Sequence, residues 1–183
     1  MKHNHPKIEI MDTTLRDGEQ TSGVSFVPHE KLMIARLLLE ELKVDRVEVA
    51  SARVSEGEFD AVKMICDWAA RRNLLPRVEV LGFVDGHTSV DWIHATGCRV
   101  INLLCKVSLK HCTYQLKKTP EEHIEDILSV VDYANEQDMV VNVYLEDWSN
   151  GMKDSPEYVF RLMDALKQTN IRRYMLPLSL IHI

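Results

Sequence analysis

The densest run of residues that could do chemistry lies at positions 12–20, near the start of the sequence. It packs two aspartates, an arginine, a glutamate and a glutamine around Gly18. Asp17 could offer a hard oxygen ligand to a divalent cation. Arg16 carries a permanent planar cation that suits a carboxylate or a developing enolate oxygen. Judged by composition alone, the run fits an ordinary polar loop with a turn glycine and a surface ion pair at least as well as it fits a catalytic site.

Glu48 stands in the middle of an apolar segment, residues 46–50. Alternation along a strand places Val47 and Val49 on one face and Glu48 on the other, which would be the inside of a barrel. A buried carboxylate is unfavourable unless it is paired or functional. We interpret Glu48 as functional, against the alternative of a strand-end glutamate paired with a lysine or arginine.

Two further polar pairs follow apolar segments. Ser108 and His111 come after the segment 99–104. A histidine there could transfer a proton or hydrogen-bond a substrate, although a lone histidine is more often an ordinary loop residue. Glu146 and Asp147 close the segment 139–145, where adjacent carboxylates could contact a metal shell, a base or a cofactor.

The elements that must position these residues alternate between strand and helix. We predict strands at 7–11, 46–50, 77–81, 99–104, 139–145 and from 173, with helices at 28–42, 56–72, 89–96, 119–137 and 155–169. Thr119 and Ser155 precede prolines and are predicted N-caps, and Leu42 ends the apolar stripe of the first helix. This alternation is typical of parallel β-α units in an α/β protein.

Two architectures fit that pattern, an open doubly wound sheet and a closed (β/α)8 barrel. No Gly-x-Gly-x-x-Gly follows the first strand, which disfavours a dinucleotide-binding open sheet. A barrel needs about 250 residues, so the 183 residues would hold about its first five and a half β-α units. We expect residues 1–183 to be the N-terminal part of a single TIM-barrel catalytic domain, with no internal boundary.

The run at 12–20 reads Asp-Thr-Thr-Leu-Arg-Asp-Gly-Glu-Gln, and Ser-Gly-Val-Ser-Phe follows at 22–26. It resembles the signature of the metal-dependent condensing enzymes, which include 2-isopropylmalate, homocitrate and citramalate synthases and a related lyase, hydroxymethylglutaryl-CoA lyase. The lyases usually carry leucine where Glu19 stands. The resemblance covers residues 7–177 and favours the isopropylmalate or citramalate synthase version.

The resemblance implies that Asp17 ligates a divalent metal (Mg, Mn or Zn) and that Arg16 stabilises the substrate carbonyl oxygen as it gains charge. It places Gln20 near the metal or the 2-oxo acid and gives Glu48 a position on the substrate side. Acetyl-CoA is the implied co-substrate of a Claisen condensation in leucine biosynthesis. Alternatives are a citramalate or homocitrate synthase, a C–C lyase and an inactive fragment.

The same resemblance supplies roles for the later pairs. Ser108 and His111 match a family Ser-x-x-His, with Ser108 on the substrate and His111 catalytic. Glu146 and Asp147 match a family Glu-Asp pair, with Glu146 catalytic and Asp147 binding substrate.

Three features depart from the family pattern. Residues 148–151 follow Glu-Asp where the family has an arginine nearby, and residues 82–83 replace another arginine, so the 2-oxo acid stays open. The family's metal-binding His-x-His belongs near the seventh strand, and we interpret His3 and His5 as incidental. The family's sixth strand runs into Leu-Pro-Asp-Thr-Leu-Gly, but this sequence departs from that motif after Pro177. We expect residues 178–183 to be a non-native tail from a truncated or frame-shifted reading frame. We therefore expect the 183-residue chain to be inactive.

Composition and charge narrow the kinds of function and cellular location that the protein could have. A net charge of -6 argues against a general nucleic-acid binder. The start of the chain lacks the apolar run of a secretory signal, and no stretch is long and apolar enough for a membrane span. We expect a cytoplasmic protein that acts on small molecules, a homodimer when complete, with four free buried cysteines.

Overall fold

The computed structural model describes residues 7–177. The strands are β1 (Met11–Asp12), β2 (Arg46–Ser51), β3 (Val78–Phe83), β4 (Val100–Lys106), β5 (Val140–Glu146) and β6 (Ile171–Met175). The α-helices are α1 (Pro28–Arg36), α2 (Glu56–Arg71), α3 (Thr88–Ala95), α4 (Pro120–Glu136), α5 (Trp148–Asp154) and α6 (Pro156–Leu166). None of the helices in this range is long and apolar enough to cross a membrane. The two early histidines and the tail 178–183 lie outside the described residues.

The six strands form one sheet in the order of the sequence, and every neighbouring pair is parallel. A doubly wound sheet would reverse its strand order at a switch point, whereas a barrel adds each strand beside the preceding one. The described strands therefore form a half-barrel. The prediction of an α/β fold with an incomplete (β/α)8 barrel is confirmed.

The hydrophobic core lies between the outer face of the sheet and the helices. Valine and isoleucine alternate along the strands, so that every second side chain faces the helices. The fully buried strand residues on this face include Val47, Val49, Val80, Ile101, Val141 and Val143, and they meet Val62, Ile65, Ile93, Ile127 and Leu162 from the helices. All four cysteines are buried and free, as predicted.

Two boundaries near the start of the chain differ from the prediction. The first strand begins at Met11 instead of residue 7, because Ile10 is held by contacts with a loop: its N–H donates to the Asp45 carboxylate at 2.9 Å. The first helix ends in a wide turn in which the Leu42 N–H donates to the carbonyl of Leu37, five residues back, at 3.0 Å. That extra residue rotates the helical face, and Leu42 is 71% exposed instead of packed in the core.

The segment after β5, for which no strand or helix was predicted, forms helix α5. It packs so closely on the end of β4 that a Cβ atom on Gly151 would lie 2.7 Å from the carbonyl oxygen of Val107. Ser155 is the N-cap residue of α6, but its side chain makes no capping hydrogen bond, because its oxygen accepts from the Leu109 N–H at 3.2 Å while its hydroxyl donates to the Gly151 carbonyl at 3.3 Å. Thr119 does cap α4, accepting from the Glu122 N–H at 3.2 Å, as predicted.

Candidate active site

The loop after β1 folds around one backbone carbonyl. The N–H groups of Arg16 and Asp17 both donate to the carbonyl oxygen of Thr13, at 3.1 and 2.8 Å. Asp12 accepts hydrogen bonds from the N–H and hydroxyl of Thr14, at 2.9 and 3.2 Å, so its carboxylate stabilises the turn. The turn therefore fixes where Arg16 and Asp17 leave the carboxyl end of β1, the edge at which barrels place their active sites.

Arg16 is paired with a buried carboxylate from the next strand. Its Nε donates to Glu48 Oε2 at 2.6 Å, and the Glu48 side chain is fully buried. Its Nη1 donates to Asp17 Oδ1 at 2.9 Å. The guanidinium carbon lies 6.0 Å from the centre of the Tyr144 ring, and the Tyr144 hydroxyl donates to Glu48 Oε2 at 3.4 Å. Glu48 thus points away from the helices, as strand alternation predicted.

A chain of hydrogen bonds continues from Glu48 across the inner face of the sheet. Asn102 on β4 donates to Glu48 Oε1 at 2.7 Å, and Asn142 on β5 donates to Asn102 Oδ1 at 2.8 Å. Arg172 on β6 donates to Asn142 Oδ1 at 3.3 Å and to the buried carboxylate of Glu79 at 3.2 Å. We call Arg16, Glu48, Asn102, Asn142 and Tyr144 the arginine–glutamate region. Its buried polar groups are bonded to one another, which is how such groups become tolerable inside a protein.

Burial dominates the electrostatics of this region. It raises the pKa of the Glu48 carboxyl above its ordinary value, against the opposing effects of the Arg16 charge and the Asn102 hydrogen bond. Burial lowers the pKa of the Arg16 guanidinium, but the charge and hydrogen bond of Glu48 outweigh it and the pKa is raised. Burial and the charge of Glu48 raise the pKa of the Tyr144 phenol. The Arg16 guanidinium therefore stays positively charged and could stabilise a developing negative charge next to it.

Asp17 and Gln20 lie on the open side of the same loop. The Asp17 side chain is 55% exposed, so its carboxylate is accessible at the strand ends. Gln20 is exposed and lines, with Arg16, a pocket of about 380 Å³. Within residues 7–177 no group of three or more histidine, cysteine, aspartate or glutamate side chains is arranged to hold a metal. Asp17 alone fits a hard cation as a single oxygen ligand.

A second cluster lies where β4 and β5 end. His111 Nδ1 is 3.5 Å from Asp147 Oδ2 and makes no hydrogen bond within the described structure. Asp147 adopts the left-handed conformation, with φ 65° and ψ 31°, and Asn150 donates to its Oδ1 at 2.6 Å. The side-chain oxygen of Ser108 accepts a hydrogen bond from the backbone N–H of His111 at 3.3 Å. We call Ser108, His111, Asp147 and Asn150 the histidine–aspartate region.

Hydrogen bonds set the charge of Asp147. Burial raises its pKa, but the nearby Ser108 hydroxyl, the hydrogen bond from Asn150 and the charge of His111 together hold the pKa below its ordinary value. A non-glycine residue with positive φ is strained unless its surroundings hold it. The negative charge and the fixed backbone of Asp147 suit a group that orients a neighbouring imidazole.

Glu146 is paired with a lysine that the sequence did not single out. Its Oε2 accepts from Lys106 Nζ, and the two residues stand opposite each other on β5 and β4. Glu146 lies two residues after Tyr144 and therefore on the same face of β5. Strand β5 thus contributes to the inner face of the barrel and leads directly into the histidine–aspartate region.

The structure brings Arg16, Asp17 and Glu48 into contact and joins Ser108, His111 and Asp147 in a second cluster. Sequence reasoning missed five residues around them: Lys31, Asn102, Lys106, Asn142 and Tyr144. The two asparagines left a signal, because each interrupts an otherwise apolar strand.

A family model described as HMGL-like matches residues 7–180. The (R)-citramalate synthase of Methanocaldococcus jannaschii is 39% identical over 142 residues, which cover 76% of this chain and 27% of that protein. A probable 2-isopropylmalate synthase of Ignicoccus hospitalis is 35% identical over 175 residues, which cover 95% of this chain and 42% of that protein. The chain therefore spans less than half the length of these curated relatives.

Solved structures agree on the fold. The hydroxymethylglutaryl-CoA lyase of Pseudomonas aeruginosa superposes with a TM-score of 0.65 at 16% identity, covering 93% of this chain and 57% of that one. At such low identity the likeness concerns the barrel architecture alone.

Proposed function

Because this chain belongs to the HMGL-like family, we propose that its protein condenses acetyl-CoA with a 2-oxo acid, as a 2-isopropylmalate synthase does. The observation that carries the proposal is the Arg16–Glu48 pair of 2.6 Å beside the exposed carboxylate of Asp17. A fixed cation and an accessible hard ligand then share one strand-end loop. Such a pair of groups can stabilise an oxygen that gains negative charge.

The positive charge belongs to Arg16, and Glu48 orients it. With Nε held by Glu48, the guanidinium can present its remaining N–H groups to the carbonyl oxygen of the 2-oxo acid. Asp17 would hold a divalent cation (Mg, Mn or Zn) whose chemistry is to polarise that carbonyl. Gln20 would hydrogen-bond the acid from the pocket next to Arg16.

Proton movement is assigned to the histidine–aspartate region. A proton leaves the acetyl methyl group, the resulting carbanion bonds to the carbonyl carbon, and the carbonyl oxygen takes a proton. His111 moves a proton while Asp147 orients its ring, Ser108 contacts the substrate, and Glu146 acts with its partner Lys106. Water then hydrolyses the thioester and releases CoA.

The acceptor is proposed to be 2-oxoisovalerate. Pyruvate is the second candidate, because a citramalate synthase is the relative that is 39% identical. The assay measures CoA release from acetyl-CoA with 2-oxoisovalerate, pyruvate or 2-oxoglutarate, with each metal in turn. It uses the protein expressed from its complete coding sequence, since the relatives are more than twice as long.

We expect release with one acceptor and a loss of at least ~10²-fold in kcat on Asp17→Asn or Arg16→Met. The matched control, Glu125→Gln on the exposed face of α4, should leave the rate unchanged. Absence of CoA release with all three acceptors and all three metals would refute the proposal. Cleavage of an acyl-CoA without condensation would point to a lyase.

A further inference from the structure

Lys31 is a fully buried lysine on helix α1. Its ammonium nitrogen lies 2.6 Å from Glu19 Oε2 and 2.5 Å from Glu58 Oε1. Glu19 belongs to the loop after β1, and Glu58 to the first turn of α2. One ammonium group thus joins three separate elements.

The same nitrogen also contacts two backbone carbonyls. It donates to Leu15 O at 3.1 Å and approaches Val49 O at 3.5 Å. Leu15 directly precedes Arg16, and Val49 directly follows Glu48. Lys31 therefore holds the backbone one residue away from each partner of the Arg16–Glu48 ion pair.

The carboxylates around Lys31 are themselves anchored. Glu19 Oε1 accepts from the Phe26 N–H at 2.8 Å, which ties the loop to the start of α1. Burial raises the pKa of the Glu58 carboxyl, with a contribution from the charge of Glu19, while Lys31 opposes the shift. Buried ion pairs contribute little net stability compared with apolar packing, so their best-attested use is to specify geometry.

We propose that Lys31 is a positioning residue whose ammonium group sets the spacing between the Arg16 loop and strand β2, and thereby the Arg16–Glu48 ion pair. Its meaning for catalysis rests on the proposed function, but the spacing itself does not. Lys31 touches neither member of the pair and acts through the backbone on either side of them.

The test follows exchange of the Arg16 Nε–H proton with water by NMR in the ¹⁵N-arginine-labelled chain. The Nε–H of Arg77 is the internal reference, because it donates to Asp45 O at 2.9 Å at the opposite end of the sheet. Lys31→Met should speed exchange at Arg16 at least ~10-fold relative to Arg77. The matched control is Lys63→Met, which removes an exposed lysine from α2 and should change neither proton.

Unchanged exchange at Arg16, or equal acceleration at both arginines, would overturn the assignment, since general destabilisation affects both. If Lys31→Met does not fold, Glu19→Gln takes its place. It keeps the ammonium group and removes one anchor, and we expect a smaller acceleration that is still confined to Arg16; no acceleration would again overturn the assignment. If the unmodified protein releases no CoA but Lys31→Met still speeds exchange at Arg16, the proposed function is refuted and the role of Lys31 stands.

Discussion

The ion pair of Arg16 with Glu48 is short and buried, whereas the contact of His111 with Asp147 is longer and the His111 side chain is about one third exposed. The Arg16 Nε–Glu48 Oε2 distance is 2.6 Å with the Glu48 side chain fully buried. The His111 Nδ1–Asp147 Oδ2 distance is 3.5 Å with the His111 side chain 34% exposed. Arg16 and His111 both follow the carboxyl ends of strands, whereas Glu48 lies within strand β2.

The contrast separates two tasks of an active site. A charge that must be in place before the reaction is best held by neighbours that do not move. A group that takes up and returns a proton needs access and a charge state that can change. The arginine–glutamate region fits the first requirement, and the histidine–aspartate region fits the second.

The largest difference should appear in stability. Glu48→Ala removes the buried carboxylate of the Arg16 pair and leaves Asn102 and Tyr144 without their acceptor. We expect the free energy of unfolding to fall by about 3 kcal/mol or more. His111→Ala should lower it by less than about 1 kcal/mol. Urea unfolding followed by circular dichroism measures both, with Glu125→Ala on α4 as the exposed control. Equal losses in the two variants would remove the distinction between the regions.

The two carboxyls should also respond to pH with opposite sign. The folded-state pKa of Glu48 is raised above 4.5, so its contribution to stability is present below pH 4.5 and is lost as pH rises through the folded-state pKa. The pKa of Asp147 is lowered below 3.8, so its contribution is present above pH 3.8 and is lost as pH falls through the folded-state pKa.

Carboxyl carbon titration by NMR gives both midpoints directly. Unfolding curves of Glu48→Gln and Asp147→Asn, compared with the unmodified chain across the same pH range, give the signs. A Glu48 midpoint below that of Asp147 would reverse the contrast between the two regions.

The last prediction concerns the contribution of Ser108 to the pKa of Asp147. Ser108→Ala removes the hydroxyl that helps to lower the pKa of Asp147, so this pKa should rise toward its ordinary value. The free energy of unfolding should fall by only about 0.5–1.5 kcal/mol. Ser129→Ala, an exposed serine on α4, is the control. A pKa of Asp147 that does not respond would mean that Ser108 does not hold this carboxylate.

Local patterns predicted most of the fold, because strand alternation and helix caps are properties of neighbouring residues. The N-cap that Thr119 forms on α4 and the inward orientation of Glu48 both follow from such patterns. The wide turn that exposes Leu42 could not be predicted, since one extra residue in a helix leaves the apolar spacing almost unchanged. Helix α5 was not predicted, and the close packing of its Gly151 against Val107 is a tertiary contact that the local sequence does not show.

The site was predictable in its residues but not in its connections. Arg16, Asp17 and Glu48 could be singled out by type and position. Their link to Lys31 could not, because its partners come from three elements whose packing is a tertiary property. The roles of His111 and Glu146 stay predictions until activity is measured.

Strand order also bears on how the protein is made on the ribosome. Synthesis releases the N-terminal strands first, and each later strand of this sheet docks beside the one just completed. Four residues lie within the first two β-α units, and their contacts with one another need no residue that is translated later: Arg16, Lys31, Glu48 and Glu58. We expect the fixed charge to be assembled while the codon for His111 is still untranslated.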